Sequence, residues 1–167
     1  MPVSTDSIKQ LRERSGAGIM DCKRALEATD GVIEEAEKLL TQKGLAVASK
    51  KAGRTADQGL VDFYVHSGGR LGAMVEVNCE TDFVARTDQF KSLAHDLAMQ
   101  VAAMDPRFVH KDDVPEDSVL SPEEAALLSQ AFIKDPSKTV QDLINETIGQ
   151  VRENIQVRRF TRFEIGK

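Results

Sequence analysis

The feature that most constrains this fold is a change of hydrophobic period between residues 71 and 101. Residues 71–79 alternate, with apolar side chains at Leu71, Ala73, Val75, Val77 and Cys79. Further along, apolar side chains recur at three- and four-residue spacing, at Phe90, Leu93, Ala94, Leu97, Ala98 and Val101. The alternation predicts a half-buried strand, and the longer period predicts an amphipathic helix. The chain therefore has to turn from a strand into a helix between residues 79 and 90.

Thr81, Asp82 and Phe83 lie at this corner. Thr81 can begin the helix as its N-cap, because its hydroxyl can accept a hydrogen bond from a backbone N–H of the first turn. Asp82 and Phe83 then occupy that first turn. One interpretation is a core phenylalanine beside an aspartate that complements the helix dipole. The other is an exposed wedge, whose ring enters a partner's pocket while the carboxylate disturbs a polar site there.

Two long segments carry a family resemblance. Residues 76–84 read EVNCETDFV, which closely resembles the core signature of the elongation factor Ts family, the guanine-nucleotide exchange factors of elongation factor Tu. Residues 11–26 read LRERSGAGIMDCKRAL and resemble the family's N-terminal signature. Two long motifs in the expected order are far more specific than one short motif. Segments 99–108, 136–140 and 154–166 are also similar to parts of the family's core.

The resemblance implies how the corner works. The core would present Thr81, Asp82, Phe83 and Val84, with Phe83 entering a hydrophobic pocket of elongation factor Tu and Asp82 helping to perturb its Mg²⁺ site. Because Mg²⁺ bridges the phosphate oxygens of the bound nucleotide, displacing it weakens the hold on GDP. Such exchange involves no covalent chemistry. We therefore expect no catalytic residues, no cofactor and no metal site in this chain.

The resemblance also assigns a second contact surface. The N-terminal part would hold the nucleotide-binding domain of elongation factor Tu through Arg12, Ile19 and Met20. Ile19 departs from a common Met, which is a tolerable exchange of apolar side chains. Gln100 stands where long members of the family often carry His, so any partner contact made by that side chain is in doubt.

The remaining patterns predict an α+β protein in two parts. Residues 1–54 are expected to form an N-terminal three-helix, UBA-like module followed by a linker, with the third helix ending before Gly44. Residues 55–167 are expected to form an α+β core, in which helices pack on one face of a three-stranded antiparallel sheet. A hairpin around residues 67–69 would join the first two strands, and residues 155–165 would form the third.

Three details of this core are predicted from spacing. With a three-residue loop, Val61, Phe63 and Val65 would share a face with the apolar residues of the second strand. A helix from about Asp88 to Met104 would cover that face. Another helix would start at residue 121 and run through residue 132.

This chain resembles the short form of the family, because it has room for only one of the two related halves that long members contain. The candidates for apolar surface on the uncovered face of the sheet are Leu60, Tyr64, Met74 and Phe160. We expect a homodimer in which a second copy supplies the missing half. The alternative is a monomer whose mixed face is solvated.

Charge and cysteine usage narrow the function. The net charge of −5 argues against direct nucleic-acid binding, which needs a concentrated positive surface. Residues 1–54 are slightly basic, with ten Lys and Arg against eight Asp and Glu; this is either ordinary solvation or steering towards an acidic partner.

Two cysteines without a CxxC pair fit a reducing compartment. With no apolar run of membrane-spanning length, we expect a cytoplasmic protein without a membrane partner.

Two other functions are compatible with parts of the chain. An enzyme would use Cys79 as nucleophile with His66 or His95 as base, although no spacing pairs them. A plain interaction module would use the N-terminal helices to bind peptides or ubiquitin-like partners, and would leave residues 81–84 without a role.

Overall fold

The computed structural model describes residues 3–167, so the first two residues of the predicted module lie outside the described residues. The helices are α1 (Thr5–Ser15), α2 (Ile19–Ala28), α3 (Ile33–Lys51), α4 (Asp82–Ala85), α5 (Asp88–Met104), α6 (Pro122–Ala125) and α7 (Val140–Val151). The strands are β1 (Gln58–Val65), β2 (Leu71–Cys79), β3 (Ala131–Phe132), β4 (Asp135–Thr139) and β5 (Ile155–Glu164). The predicted α+β class, with N-terminal helices before a three-stranded antiparallel sheet, is confirmed.

The three N-terminal helices share a small core of their own. Its fully buried members are Leu11, Cys22, Ala25, Leu26 and Ala36. The hydroxyl of Ser4 caps α1 by accepting from the Ser7 N–H, and Gly16 ends that helix in the left-handed conformation at φ 64°. That conformation favours glycine, which has no Cβ to clash.

The third helix is longer than predicted, because α3 does not stop before Gly44. It passes through Gly44 and continues to Lys51. At Gly44 it crosses α7 so closely that a Cβ added to Gly149 would lie 3.0 Å from the Gly44 Cα. The glycine marks a helix crossing rather than a helix end. Beyond it, Ala48 packs in the core around the sheet, so α3 contributes to both hydrophobic cores.

The main sheet has the order β1-β2-β5, with both pairs antiparallel. The predicted bounds of α5 are confirmed, and the third strand occupies nearly the predicted residues. Helix α5 covers one face of the sheet, where Val75, Val77 and Phe90 are buried. The same core includes the apolar side of α7.

The predicted face of β1 is wrong, and the hairpin loop gives the reason. His66 and Leu71 still pair, through a hydrogen bond of 2.8 Å from the His66 N–H to the Leu71 carbonyl, so the loop has four residues instead of three. One extra residue shifts the register, and a one-residue shift moves every side chain of a strand to the other face. Phe63 therefore pairs with Met74 on the uncovered face, together with Val61 and Val65.

The same shift corrects the residues predicted for the uncovered face. Leu60, Tyr64 and Phe160 are half-buried and pack against the core under α5. Only Met74 of the predicted four lies on the open side of the sheet and is exposed.

The helix predicted from residue 121 to residue 132 is also wrong beyond its first turn. Helix α6 ends at Ala125 because the next residues bond to the segment after α5: the Leu127 N–H donates to the Phe108 carbonyl at 2.8 Å. The chain then forms the short β3–β4 hairpin. Gln100, fully buried on α5, holds this hairpin by accepting from the Ile133 N–H at 2.9 Å and donating to the Ala131 carbonyl at 3.1 Å.

Candidate functional site

The corner after β2 presents Phe83 to solvent. Thr81 caps α4, and its hydroxyl accepts from the Val84 N–H at 3.3 Å. Val84 and Ala85 are buried in the core, which fixes the single turn against the sheet. The opposite side of that turn carries Phe83, which is 80% exposed. The core interpretation of Phe83 is therefore wrong, and of the four predicted residues only Val84 is buried.

Asp82 is paired within its own helical turn. Its carboxylate accepts from the Arg86 guanidinium at 2.8 Å, and both side chains are largely exposed. An exposed ion pair of this kind contributes only about 0.2–1 kcal/mol, because water and salt screen it. A partner can therefore replace Arg86 at the carboxylate at little cost.

The turn between α7 and β5 braces the corner from behind. One oxygen of the Glu153 carboxylate accepts from the Glu80 and Thr81 N–H groups, at 3.1 and 3.0 Å. The other accepts from the Thr81 hydroxyl at 2.7 Å. In return, Glu80 accepts from the Asn154 N–H at 2.8 Å. This N–H, aided by Arg54, holds the pKa of Glu80 below its ordinary value.

The surface predicted on the N-terminal helices is also exposed. Gly18 precedes α2 without a side-chain cap, and Ile19 and Met20 form the first turn with 55% and 57% of their surface exposed. Arg12 is exposed on α1.

The two exposed surfaces are joined through one turn. Arg152 ends α7 in the left-handed conformation at φ 63°, and its guanidinium donates to the Asp21 carboxylate on α2 at 3.2 Å. Nearby, the Gln150 amide donates to the Ser15 carbonyl at 3.1 Å. Residues 150–154 thus touch the N-terminal helices at one end and the corner at the other.

Comparison with known proteins shows to which family the chain belongs. A family model described as "Elongation factor TS" matches residues 19–124, a range that includes Ile19, Met20 and the whole corner. The chain belongs to the elongation factor Ts family. Proteins named elongation factor Ts are 47% identical in Carboxydothermus hydrogenoformans, over 99% of this chain and 90% of the relative, and 48% identical in Thermotoga neapolitana, over 100% and 99%.

As a member of this family, the chain is a translation elongation factor. Both alignments run over 195 positions, more than the 167 residues of this chain. The relatives therefore contain residues without a counterpart here. Across residues 3–167, every helix is too short or too polar to cross a membrane.

Cys79 does not have the environment of an activated nucleophile. The thiol is fully buried and donates to the Thr81 carbonyl at 3.1 Å. Burial, followed by the negative charge of Glu153, raises the pKa of Cys79 from 9.0 to about 11, so the thiol stays protonated near neutral pH. The two candidate bases point elsewhere: His66 bonds the Tyr64 hydroxyl at 3.0 Å, and His95 lies 3.6 Å from Asp62.

The face of the sheet opposite α5 forms a second apolar surface, which we call the open face. It consists of Val61, Phe63, Val65, Met74, Phe163 and Ile165, all exposed. A groove of about 450 Å³ runs between the side chains of β1, β2 and β5 here. The polar end of the same face holds Arg159, which donates to Glu76 at 2.7 Å.

Sequence reasoning missed Glu153, Asn154 and Arg152. They follow an apolar helix as a polar turn, and nothing in that pattern distinguishes them from any solvated loop. Only the tertiary contact with residues more than seventy positions away gives them a role.

Proposed function

We propose that this chain is a guanine-nucleotide exchange factor for elongation factor Tu. It binds the GDP form, disturbs the Mg²⁺ and phosphate site, and promotes GDP release so that GTP can rebind. The observation that carries the proposal is Phe83, a large ring standing exposed on a braced corner beside Asp82. Family membership supplies the partner. We expect the chain to act in the cytoplasm, without direct nucleic-acid or membrane contact.

Each part of the corner then has a task. Phe83 enters a hydrophobic pocket of the partner, while Asp82 exchanges Arg86 for polar groups near the Mg²⁺ site. Thr81 holds the turn at its N-cap, and Val84, buried here, anchors it. The coupling is reciprocal: if this chain weakens GDP binding by some factor, GDP weakens binding of this chain by the same factor. Neither step forms or breaks a covalent bond.

The N-terminal helices provide the second attachment. Ile19 and Met20 offer an exposed apolar pair at the start of α2, and Arg12 adds a positive charge on α1. We propose that they hold the nucleotide-binding domain of elongation factor Tu. Two attachments on one partner raise the effective concentration of the corner at its target.

The test is release of fluorescent GDP from elongation factor Tu, followed by stopped flow. Removing a large anchor side chain from an interface costs about 2 kcal/mol or more, so Phe83→Ala should slow exchange about thirtyfold in kcat/KM. Asp82→Ala should reduce the maximal rate. Val119→Ala, a fully exposed apolar residue on a loop, is the matched control and should change nothing. Unchanged release in both corner variants would remove the corner from the mechanism.

The same assay separates exchange from simple binding. An interaction module would bind elongation factor Tu through the N-terminal helices without accelerating release. Binding that is lost on Met20→Ala, combined with release at the spontaneous rate, would favour that function over exchange.

We further propose that the open face forms a homodimer. The exposed apolar side chains occupy a single face, and pairing that face with its copy by two-fold symmetry buries both at once. The open face is apolar at one end and carries the Arg159–Glu76 pair at the other. A second copy offers the same apolar patch and both signs of charge, so the face can be complementary to itself. Sedimentation velocity at micromolar concentration should show a dimer, and Phe163→Asp should give a monomer while Val119→Asp does not. A wild-type monomer, with and without the partner, would contradict this.

A further inference from the structure

The Glu153 carboxylate does more than add hydrogen bonds to the corner. The Thr81 hydroxyl has one proton, and that proton is directed at Glu153. The lone pairs of the same oxygen are thereby left for the N–H of Val84, the third residue of α4. Because a hydroxyl can rotate, a fixed acceptor is what sets the direction of the cap. Glu153 also accepts from the N–H groups of Glu80 and Thr81, so it fixes the main chain that leads into the capping residue.

The residue before Glu153 faces the other way, towards the N-terminal helices. Arg152 binds Asp21, which directly follows Met20 in the first turn of α2. One carboxylate and one guanidinium, adjacent in sequence, therefore hold the corner and the start of α2. This spacing is rigid because Asn154 is itself buried and donates to the Arg54 and Ala52 carbonyls.

We propose that Glu153 is a positioning residue for nucleotide exchange, which holds Phe83 at the angle required when α2 is already bound to the partner. This inference rests on the exchange function proposed above. Glu153 does not itself need to touch the partner, because its bonds all go to Glu80 and Thr81. It acts through the orientation of the turn that carries Phe83.

Glu153→Gln is the informative change. The amide offers a single acceptor oxygen in place of two, and its nitrogen cannot accept from the Thr81 hydroxyl or the N–H groups. The corner should remain folded but lose its fixed angle. We expect the maximal GDP-release rate at saturating concentration to fall about tenfold, since small misplacements of a group that acts in the rate-limiting step have large rate effects. The half-saturating concentration should change less than about twofold, because the N-terminal attachment is intact.

A double-mutant cycle with Phe83→Ala identifies the route of the effect. If Glu153 acts through Phe83, Glu153→Gln should have no further effect on release once the ring is absent. If Glu153→Gln instead weakened the fold in general, it would slow GDP release by the same factor in the wild type and in the Phe83→Ala variant. That result would overturn the proposal. So would an unchanged maximal rate for Glu153→Gln with the ring present.

Two controls complete the test. Glu146→Gln changes a carboxylate on α7 that pairs with Lys138 at 2.8 Å and should leave exchange unchanged. Circular dichroism checks the fold, and Glu153→Asp, which keeps the charge but is one methylene shorter, enters the same cycle if the Gln variant is unfolded. If Phe83→Ala slows release and neither Glu153 variant does, the positioning proposal alone fails. If Phe83→Ala has no effect on release, the proposed role of the corner in exchange is refuted, and the positioning role of Glu153 is refuted with it.

Discussion

Alanine substitution at the two glycines of the α3–α7 crossing should affect stability differently, and only Gly149→Ala should destabilise the protein. A Cβ on Gly149 would lie 3.0 Å from the Gly44 Cα, which is a backbone atom and cannot swing aside. Overpacking of this kind costs about 1–3 kcal/mol. Alanine in place of glycine returns up to about 1 kcal/mol of helix propensity, and less near a helix end such as this one. Gly149→Ala should therefore destabilise the protein by about 1 kcal/mol.

Gly44→Ala is the matched control, since its Cβ would meet only the Asn145 carbonyl oxygen at 3.6 Å, an ordinary contact. It should be neutral or should stabilise by up to about 1 kcal/mol. Urea unfolding followed by circular dichroism measures both changes as shifts in midpoint at constant slope. Gly149→Ala as stable as the wild type, or Gly44→Ala less stable than Gly149→Ala, would refute the close crossing as the reason for the glycines.

Two further predictions concern buried polar groups. Gln100→Leu leaves the Ile133 N–H and the Ala131 carbonyl without their partner, so urea unfolding should show a loss of about 2 kcal/mol; a loss below about 0.5 kcal/mol would contradict the buried network. The raised pKa of Cys79 means that the native thiol keeps a proton which the unfolded chain releases. Stability should therefore fall as the pH rises from 9.0 to about 11. Cys79→Ala should flatten that fall, and iodoacetamide should react slowly with native Cys79 at neutral pH.

The corner could be predicted because its determinants are local. A switch of period locates it, a threonine caps it, and both signals lie within a few residues of Phe83. The exposure of Phe83 did not follow from the pattern, since an apolar residue after a strand is as compatible with a core. It followed from the family resemblance, and the structure confirms it.

The features that could not be predicted depend on distant contacts or on single-residue loop lengths. One additional loop residue reverses the face of β1. The helix that continues through Gly44 does so because α7 crosses there, which residues 41–51 alone do not indicate. The Glu153 brace joins segments more than seventy residues apart. Local sequence patterns carry no information about contacts between such distant segments of the chain.

Helix α3 is a single rod that supports both parts of the molecule. Its nineteen residues span about 28 Å at a rise of 1.5 Å per residue. One end packs among the N-terminal helices, and the other packs against α7 in the core around the sheet. The helix fixes the rotation of one end relative to the other as well as their separation, because each residue of an α-helix turns the chain by about 100°. A single residue inserted between Ala36 and the buried crossing at Gly44 would rotate the two ends of the helix relative to each other by about 100°, more than a quarter turn. Four inserted residues would bring them back to within about 40° of their alignment, at a greater separation.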